Sequence, residues 1–239
     1  MQDYLDSRLE VKNNLRYERK FIVPTNVPLK ELVVVTKNNS AFFKEVFYER
    51  QVNNIYLDTE DYKFYFDNVD GVANRQKVRI RWYGDSLGKI EKPKLEIKLK
   101  TGLVGDKWTF NLTPFRLDNN FDLRTLRKIL SDSKLPSSIL ELTKGLKPTL
   151  VNSYSRRYFL SADMNYRITL DYSIKYRDVA NNINNFTKSL QKDTNNVVEL
   201  KYSLKDEKKA YSISSQFPFR LSKNSKYVNG VNNFKSFPE

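Results

Sequence analysis

Two short stretches, Val78–Tyr83 and Leu95–Lys100, constrain this chain more than anything else in it. In the first, Val78, Ile80 and Trp82 alternate with Arg79 and Arg81; in the second, Leu95, Ile97 and Leu99 alternate with Glu96, Lys98 and Lys100. A period of two is that of a β-strand with one buried face. The other face is charged at every position and mostly cationic. Neighbouring cationic strands repel unless an anion lies between them or water screens them. The pattern recurs at Arg16/Glu18/Lys20, Tyr154/Arg156/Tyr158, Arg167/Thr169/Asp171 and Glu199/Lys201. A single strand of this kind is ordinarily a solvated outer face. At least five together, three of them pairing Glu with Lys, are explained economically by a closed sheet. Its charged faces point inward, and its apolar faces point outward beneath helices. Such a lining holds an anion, and its carboxylates can hold a divalent cation that bridges to it.

Composition agrees. Lys+Arg is 42 against 28 Asp+Glu, a formal charge of +14 over 239 residues, which favours polyanionic partners. Fifteen Tyr and 15 Phe argue for a real core rather than a disordered chain. There is no Cys, hence no disulfide framework or thiol chemistry. There is no His, which excludes a histidine base, a Ser-His-Asp triad and His-ligated zinc. A metal would rest on carboxylates and be Mg²⁺ or Mn²⁺ in character. No run approaches the ~18–20 apolar residues of a membrane span. The first residues lack the basic and apolar regions of a signal peptide, so the chain reads as soluble and cytoplasmic. Gly84–Ile90 approaches a phosphate-binding loop but is one residue short and lacks the Ser/Thr after Lys89; it reads as a hairpin loop. Trp82 falls on the apolar face and reads as core. No nucleic-acid module is recognisable, so no specific nucleic-acid partner is expected.

Taken in order, residues 1–14 form a polar N-terminal extension, and Arg16–Val23 a strand ended by Pro24. Residues 28–47 read as helix with a break at Asn38-Asn39-Ser40, Tyr48–Leu57 as strand, and Asp58–Phe66 as a short aromatic helix. Lys107–Leu112 extends the central strands after a turn at Gly102–Gly105. Asp122–Ser131 and Ser137–Leu142 are short helices, the second with Ser as its cap. Leu150–Leu160, Asn165–Arg177 and Val197–Tyr202 are strands, with a mobile Asn-rich loop at 178–196. Ser203–Ser214 is a helix, Ser222–Tyr227 a closing helix or turn, and the end a tail. The class is α+β: a closed, antiparallel, eight-stranded barrel with helices outside and a C-terminal closing helix. No linker divides it.

The ordered motifs Arg16-x-Glu18-x-Lys20, Val78-Arg79-Ile80-Arg81-Trp82-Tyr83-Gly84, Glu96-x-Lys98, Tyr154-x-Arg156, Arg167–Asp171, Val198–Lys201 and Lys223–Tyr227 resemble the VTC domain. That is the polyphosphate polymerase domain within the triphosphate tunnel metalloenzymes. The resemblance covers residues 15–231 and leaves 232–239 as the tail. It implies an eight-stranded tunnel that uses Mn²⁺ or Mg²⁺ to move the γ-phosphate of ATP onto inorganic polyphosphate. By motif position Arg79, Arg81, Lys98, Arg156, Arg167 and Lys201 look like triphosphate ligands, and Lys20 like the lysine near the transferred phosphate. Glu199 looks like the metal carboxylate, with Glu18 and Glu96 as further candidates. Lys223, Ser225 and Lys226 look like phosphate ligands of the closing helix, and Tyr154 like the aromatic beside the nucleotide. The register of Lys107 is left open by the hairpin.

One departure matters. Arg16 stands where the wider superfamily has a first Glu, which removes a metal ligand and disfavours a two-metal hydrolase. The membrane-spanning and regulatory domains of eukaryotic members are absent from the sequence, which leaves room for a membrane-associated partner. Two other functions compete: hydrolysis of tripolyphosphate or a nucleoside triphosphate in the same fold, and a polyphosphate- or nucleic-acid-binding module without turnover. A carboxylate such as Glu199 among cations gains nothing for a pure polyanion binder.

Overall fold

The computed structural model describes residues 16–101, 104–180 and 184–237. The expectation for residues 1–14 lies outside these. β1 (Arg16–Pro24) is followed by α1 (Leu29–Lys37), β2 (Lys44–Asp58) and α2 (Lys63–Val69). β3 (Asn74–Tyr83), β4 (Gly88–Ile90), β5 (Lys94–Thr101), β6 (Val104–Asn111) and β7 (Phe115–Leu117) come next. Two helices follow, α3 (Leu123–Asp132) and α4 (Ser137–Thr143), then β8 (Lys147–Leu160) and β9 (Arg167–Asp178). β10 (Gln191–Lys192), β11 (Asn195–Ser203), α5 (Glu207–Ser215), β12 (Arg220–Leu221) and α6 (Lys226–Asn232) complete the described chain.

One antiparallel sheet runs β12-β1-β11-β9-β8-β2-β3-β5-β6, with β10 beside β9. Cross-strand register keeps the expected faces together: Glu18 opposes Lys201, Lys20 opposes Glu199, Arg79 opposes Glu96 and Arg156 opposes Asp171. β1 and β5 are six strands apart in this order, about 29 Å in a flat sheet at ~4.8 Å per step. Yet Lys98 Nζ of β5 lies 3.4 Å from Glu18 Oε1 of β1. The sheet therefore curls until the charged faces meet. The expectation of a closed eight-stranded barrel is corrected in two respects. The sheet has ten strands, because β10 and β12 add two-residue ribbons, and no backbone ladder joins β6 to β1 or β12 among the described residues. Where the seam would close, the free edge of β1 is already taken: Phe21 and Ile22 pair with β12, and Ser222 N donates to Lys20 O at 2.9 Å.

The convex face holds two apolar cores. Ile55, Val78, Ile80, Trp82, Leu95 and Ile97 pack under α3, α4 and the β4–β7 pair. Phe21, Val23, Ile168, Leu170, Val198 and Leu200 pack under α1 and α5. A third core lies inside the curl at one end, where Val52, Tyr56, Leu150, Tyr154 and Tyr176 meet Tyr227 and Val231 of α6. Tyr56 and Tyr227 stack at 4.9 Å, and Tyr227 donates to the buried Asp58 carboxylate at 2.5 Å. Asp58 also accepts from Phe64 N and Tyr65 N, both at 2.9 Å, and so opens α2. α6 thus fills one end of the concavity.

Several element boundaries differ from the sequence expectation. β2 begins at Lys44, so 44–47 is strand rather than helix. The cap of α4 is Pro136, with Ser137 its first residue. A 3₁₀ turn at Leu204–Asp206 precedes α5. The stretch 178–196 is partly pinned: Phe186 is buried and Asn184 Nδ2 donates to Phe121 O at 2.5 Å, while residues 181–183 lie outside the described set. Phe234 and Phe237 pack beside α2 and α6, so the chain past α6 is not a loose tail as far as residue 237. No helix among the described residues is long and apolar enough to cross a membrane.

Candidate active site

The concave face has two walls. On the β3–β5–β6 wall, Arg79 donates to Glu96 Oε2 through Nε and Nη2 at 2.9 and 2.7 Å, and Lys107 Nζ donates to Glu96 Oε1 at 2.5 Å. Arg81 Nη1 lies 3.5 Å from the same carboxylate, while its Nε donates to Asn54 Oδ1 at 2.9 Å and its Nη2 to the Tyr154 hydroxyl at 3.3 Å. Burial alone would raise the Glu96 carboxyl, but Arg79, Arg81 and Lys107 more than reverse this and hold it at about 2. Burial likewise works against the Arg79 charge, and its neighbours, Tyr56 and Glu96 foremost, raise it instead. These guanidiniums are fixed cations with orientation set by hydrogen bonds.

The opposite wall is built by β1, β11, β9 and β8. Arg156 forks onto Asp171 at 2.5 and 2.7 Å, and Lys226 Nζ of α6 donates to Asp171 Oδ2 at 2.6 Å. Against the opposing effect of burial, Arg156 and Lys226 hold the Asp171 carboxyl at about 2. Glu199 meets Lys201 at 2.9 Å, Lys20 at 3.4 Å and Arg156 at 4.0 Å. Those cations outweigh burial and keep it well below the usual carboxylate range. Glu18 is shared by Lys20 at 3.7 Å, Lys98 at 3.4 Å and Lys201 at 3.9 Å. The Thr169 hydroxyl, on the same face, is buried with no partner among the described residues.

On the β3–β5–β6 wall, toward α6, stands Lys77. It is half-buried, opposes Lys98 in register, and donates to the Ser225 hydroxyl at 3.0 Å. No carboxylate lies within ion-pair distance of it among the described residues. Burial, then repulsion from Lys20, Lys98, Arg79 and Arg75, pulls its ammonium down to about 7. Ser225 also caps α6 by accepting from Val228 N, and Lys20 Nζ reaches Asn224 O at 3.2 Å. The loop before α6 is thereby tied to both walls.

Of the residues expected from sequence, Lys20, Arg79, Arg81, Lys98, Arg156, Lys201, Ser225 and Lys226 converge on this one surface. Arg167 opposes Lys201 in register but is exposed at the rim, and Lys223 is exposed before α6; neither has an ion pair among the described residues. Arg167 is the first residue of β9, and Lys223 lies in the linker between β12 and α6. Tyr154 is 2% exposed, with Arg156 and Lys226 over its ring at 5.2 and 4.8 Å, so its faces are already covered. The expected carboxylate trio is not assembled: no three acidic side chains gather to hold a metal ion among the described residues. Glu96 is engaged by three cations, whereas Glu18 and Glu199 adjoin through Lys20 and Lys201. Two hard oxygen donors fit the chemistry of Mg²⁺ or Mn²⁺, so Glu18 and Glu199 are the residues that would hold such an ion. Sequence reasoning passed over Lys77 and Asp171 as site residues. Lys77 shares the parity of Arg79 and Arg81, a signal that was readable. Asp171 lies on the charged face by alternation with Arg167 and Thr169, but its pairing with Arg156 comes only from the cross-strand register.

A β-rich chain whose concave face gathers cations around a few saturated carboxylates defines a polyanion-handling domain. The VTC domain family model matches residues 15–235, and the chain belongs to that family. No curated protein matches the sequence. Among solved structures, a candidate adenylate cyclase from Vibrio parahaemolyticus is 13% identical, over 90% of this chain and 97% of that one, with a TM-score of 0.48. The adenylyl cyclase candidate HpAC1 from Hippeastrum, described as having a dominant triphosphatase activity, is 13% identical over 93% and 98%, with a TM-score of 0.48. The PH1819 protein of Pyrococcus horikoshii is 12% identical over 89% and 97%, with a TM-score of 0.47.

Proposed function

We propose that this chain is an ATP-dependent polyphosphate polymerase, a phosphotransferase acting in the cytoplasm within a tunnel formed by the curled sheet. Arg79, Arg81, Lys98 and Arg156 lie along the donor triphosphate, with Lys201 and Arg167 toward the open rim. A triphosphate carries about four negative charges at neutral pH, which bidentate guanidiniums and a divalent ion balance. Lys20, Ser225, Lys226 and Lys223 face the acceptor side, where the growing polymer meets the γ-phosphate. Glu18 and Glu199 would hold the Mn²⁺ or Mg²⁺ ion, which when bound neutralises charge on the phosphoryl oxygens. Lys20 and Lys201, which lie beside Glu199 at 3.4 and 2.9 Å, supply the cations nearest to where that ion would be held. The acceptor is already an anionic phosphate oxygen, so the chain needs positioning and charge more than a base.

The observation that carries transfer over hydrolysis is the state of Glu96 and Asp171. Both oxygens of each are already taken, those of Glu96 by Arg79 and Lys107 and those of Asp171 by Arg156 and Lys226, so neither has a lone pair placed to accept a proton from an attacking water. The test is incubation with ATP and Mn²⁺, with ADP, free phosphate and long-chain polyphosphate read separately. ADP should form with phosphate retained in polymer. Stoichiometric free phosphate without polymer would replace this reading with a triphosphatase.

A further inference from the structure

Transfer onto an anionic phosphate oxygen needs no base, which leaves one pair of groups on the concave face without a task. The Lys77 Nζ lies 3.0 Å from the Ser225 hydroxyl, joining β3 to the loop that enters α6. Both side chains are half-buried rather than sealed, so a ligand in the concavity can reach them. Lys77 stands two residues from Arg79 on the same face of β3, and Ser225 lies in sequence between Lys223 and Lys226. Lys20 Nζ donates to the carbonyl of Asn224, immediately before Ser225, at 3.2 Å. The hydroxyl is thus held among lysines on a surface built for phosphate.

Two features separate this pair from an ordinary structural hydrogen bond. Lys77 has no carboxylate within ion-pair distance among the described residues, unlike Lys20, Lys98, Lys107, Lys201 and Lys226. Its most influential charged neighbours, Lys20 on β1, Lys98 on β5 and Arg79 and Arg75 on its own strand, are all cations, and after burial they help pull its ammonium down to about 7. The amine therefore sheds its proton near neutrality, and the hydrogen bond then reverses, with Ser225 donating and the nitrogen accepting. Second, capping of α6 uses the Ser225 oxygen as acceptor from Val228 N and leaves the hydroxyl proton free for Lys77. A hydroxyl held against a neutral amine is the arrangement that activates serine as a nucleophile.

We propose that Ser225, with Lys77 as its general base, is a phosphoryl acceptor, so that the chain primes its own polymer. The proposal rests on reading this face as a polyphosphate polymerase with ATP as donor. Ser225 Oγ attacks the γ-phosphorus while its proton passes to Lys77 Nζ. The Oγ–P bond forms, the bond from the γ-phosphorus to the β,γ-bridging oxygen breaks, and ADP leaves. The negative charge of the bound triphosphate strengthens the hold of Lys77 on the proton it receives. The product is a serine phosphate ester, lower in energy than a phosphoanhydride, so it does not hand its phosphate on to a phosphate acceptor. It is instead the anionic acceptor for the next γ-phosphate, and the polymer begins covalently attached to the loop before α6. Later rounds need no base.

Incubation of the intact chain with Mn²⁺ and ATP radiolabelled in its γ-phosphate, without added polyphosphate, tests this, followed by denaturation and peptide mapping. Label should remain on the peptide bearing Ser225, survive acid and be released by alkali, as a serine ester does and a phospholysine does not. Ser225→Asn, which keeps a capping side chain, should lower the labelling rate at least about 100-fold, whereas Ser225→Thr should keep it within about tenfold. Lys77→Met and Lys77→Arg should both lower it about 100-fold, since neither takes up a proton. In the unaltered chain labelling should rise from about pH 6 to about pH 9 more steeply than in Lys77→Met. Full labelling in Lys77→Arg would make Lys77 a phosphate-holding cation and overturn the base. Polymer made from ATP with no label on Ser225 overturns self-priming while leaving the polymerase reading standing. Free phosphate with neither polymer nor labelled chain overturns both.

Discussion

The two walls of the concavity carry the same kind of cation and very different numbers of acids. The β3–β5–β6 wall sets Arg75, Lys77, Arg79, Arg81, Lys98, Lys100 and Lys107 around a single carboxylate, Glu96. The β1–β11–β9–β8 wall sets Lys20, Arg156, Arg167 and Lys201 among Glu18, Asp171 and Glu199. On the first wall the acid serves to orient its cations, and positive charge is left over for a ligand. On the second, charge is close to balanced, and on the proposed function Glu18 and Glu199 are the acids that would hold the divalent ion. The same alternating strand pattern thus yields a strongly cationic surface on one side and an acid-bearing, nearly neutral one on the other.

The sharpest way to break this comparison is to remove one carboxylate from each wall. Glu199→Gln should lower turnover by at least about 100-fold with polyanion affinity kept or raised, since a negative charge leaves a cationic channel. Glu96→Gln should cost about tenfold in turnover through loosened Arg79 and Arg81, and leave the Mn²⁺ concentration for half-maximal activity unchanged. Initial rates over a metal titration decide it. If Glu96→Gln raises the metal requirement and Glu199→Gln does not, the assignment of the walls is reversed.

Much of this was legible in sequence because a period of two survives any curvature of the sheet. Val78, Ile80 and Trp82 face out, at 1%, 0% and 2% exposure, and Lys77, Arg79 and Arg81 face in. What was not legible depends on pairing rather than on alternation. Asp171 matters because Arg156 lies across from it, and the seam stays open because β12 occupies the edge of β1. The bulges of β2 break the parity between Phe47 and Arg50, and residues 44–47 read as helix while belonging to strand. α6 begins at Lys226, after the stretch Lys223–Ser225, because the Ser225 side chain is its cap.

The closed end offers the next largest effect, since α6 supplies Lys226 to one wall and Ser225 to the junction. Gly230 lets α6 lie flat on β8 and β9: a Cβ there would stand 2.3 Å from Leu150 Cδ2 and 2.6 Å from Tyr176 Cδ1. Gly230→Ala must therefore lift the helix or displace two buried side chains. Overpacking of this kind costs about 1–3 kcal/mol. The melting temperature should fall by roughly 2–10 °C. Turnover should drop by roughly 30-fold, because a displacement of this size misplaces Lys226. A stable variant with undiminished turnover would show that α6 does not position the acceptor side.

The smallest effect at neutral pH belongs to Lys77, on the β3–β5–β6 wall toward α6. Its ammonium is held at about 7 by burial and by neighbouring cations, against an ordinary 10.5. The groups around it are Arg75 and Arg79 on its own strand, Lys98 on β5, Lys20 on β1 and Ser225 before α6. A bound polyanion favours the charged form, so binding takes up a proton above pH 7. Affinity for tripolyphosphate should therefore fall about tenfold between pH 6 and pH 8.5, measured relative to Lys77→Met, whose profile carries the titration of the ligand and of the remaining lysines. Stability runs the other way. The folded-state value lies below the unfolded one, so between about pH 7 and 10.5 the unfolded chain binds the extra proton. The contribution of this group to stability thus rises with pH across that window. Lys77→Arg, which keeps its charge throughout, should bind with a profile parallel to that of Lys77→Met. Identical pH profiles for the unaltered chain and Lys77→Met, in both affinity and denaturant midpoint, would remove Lys77 from the phosphate-holding wall.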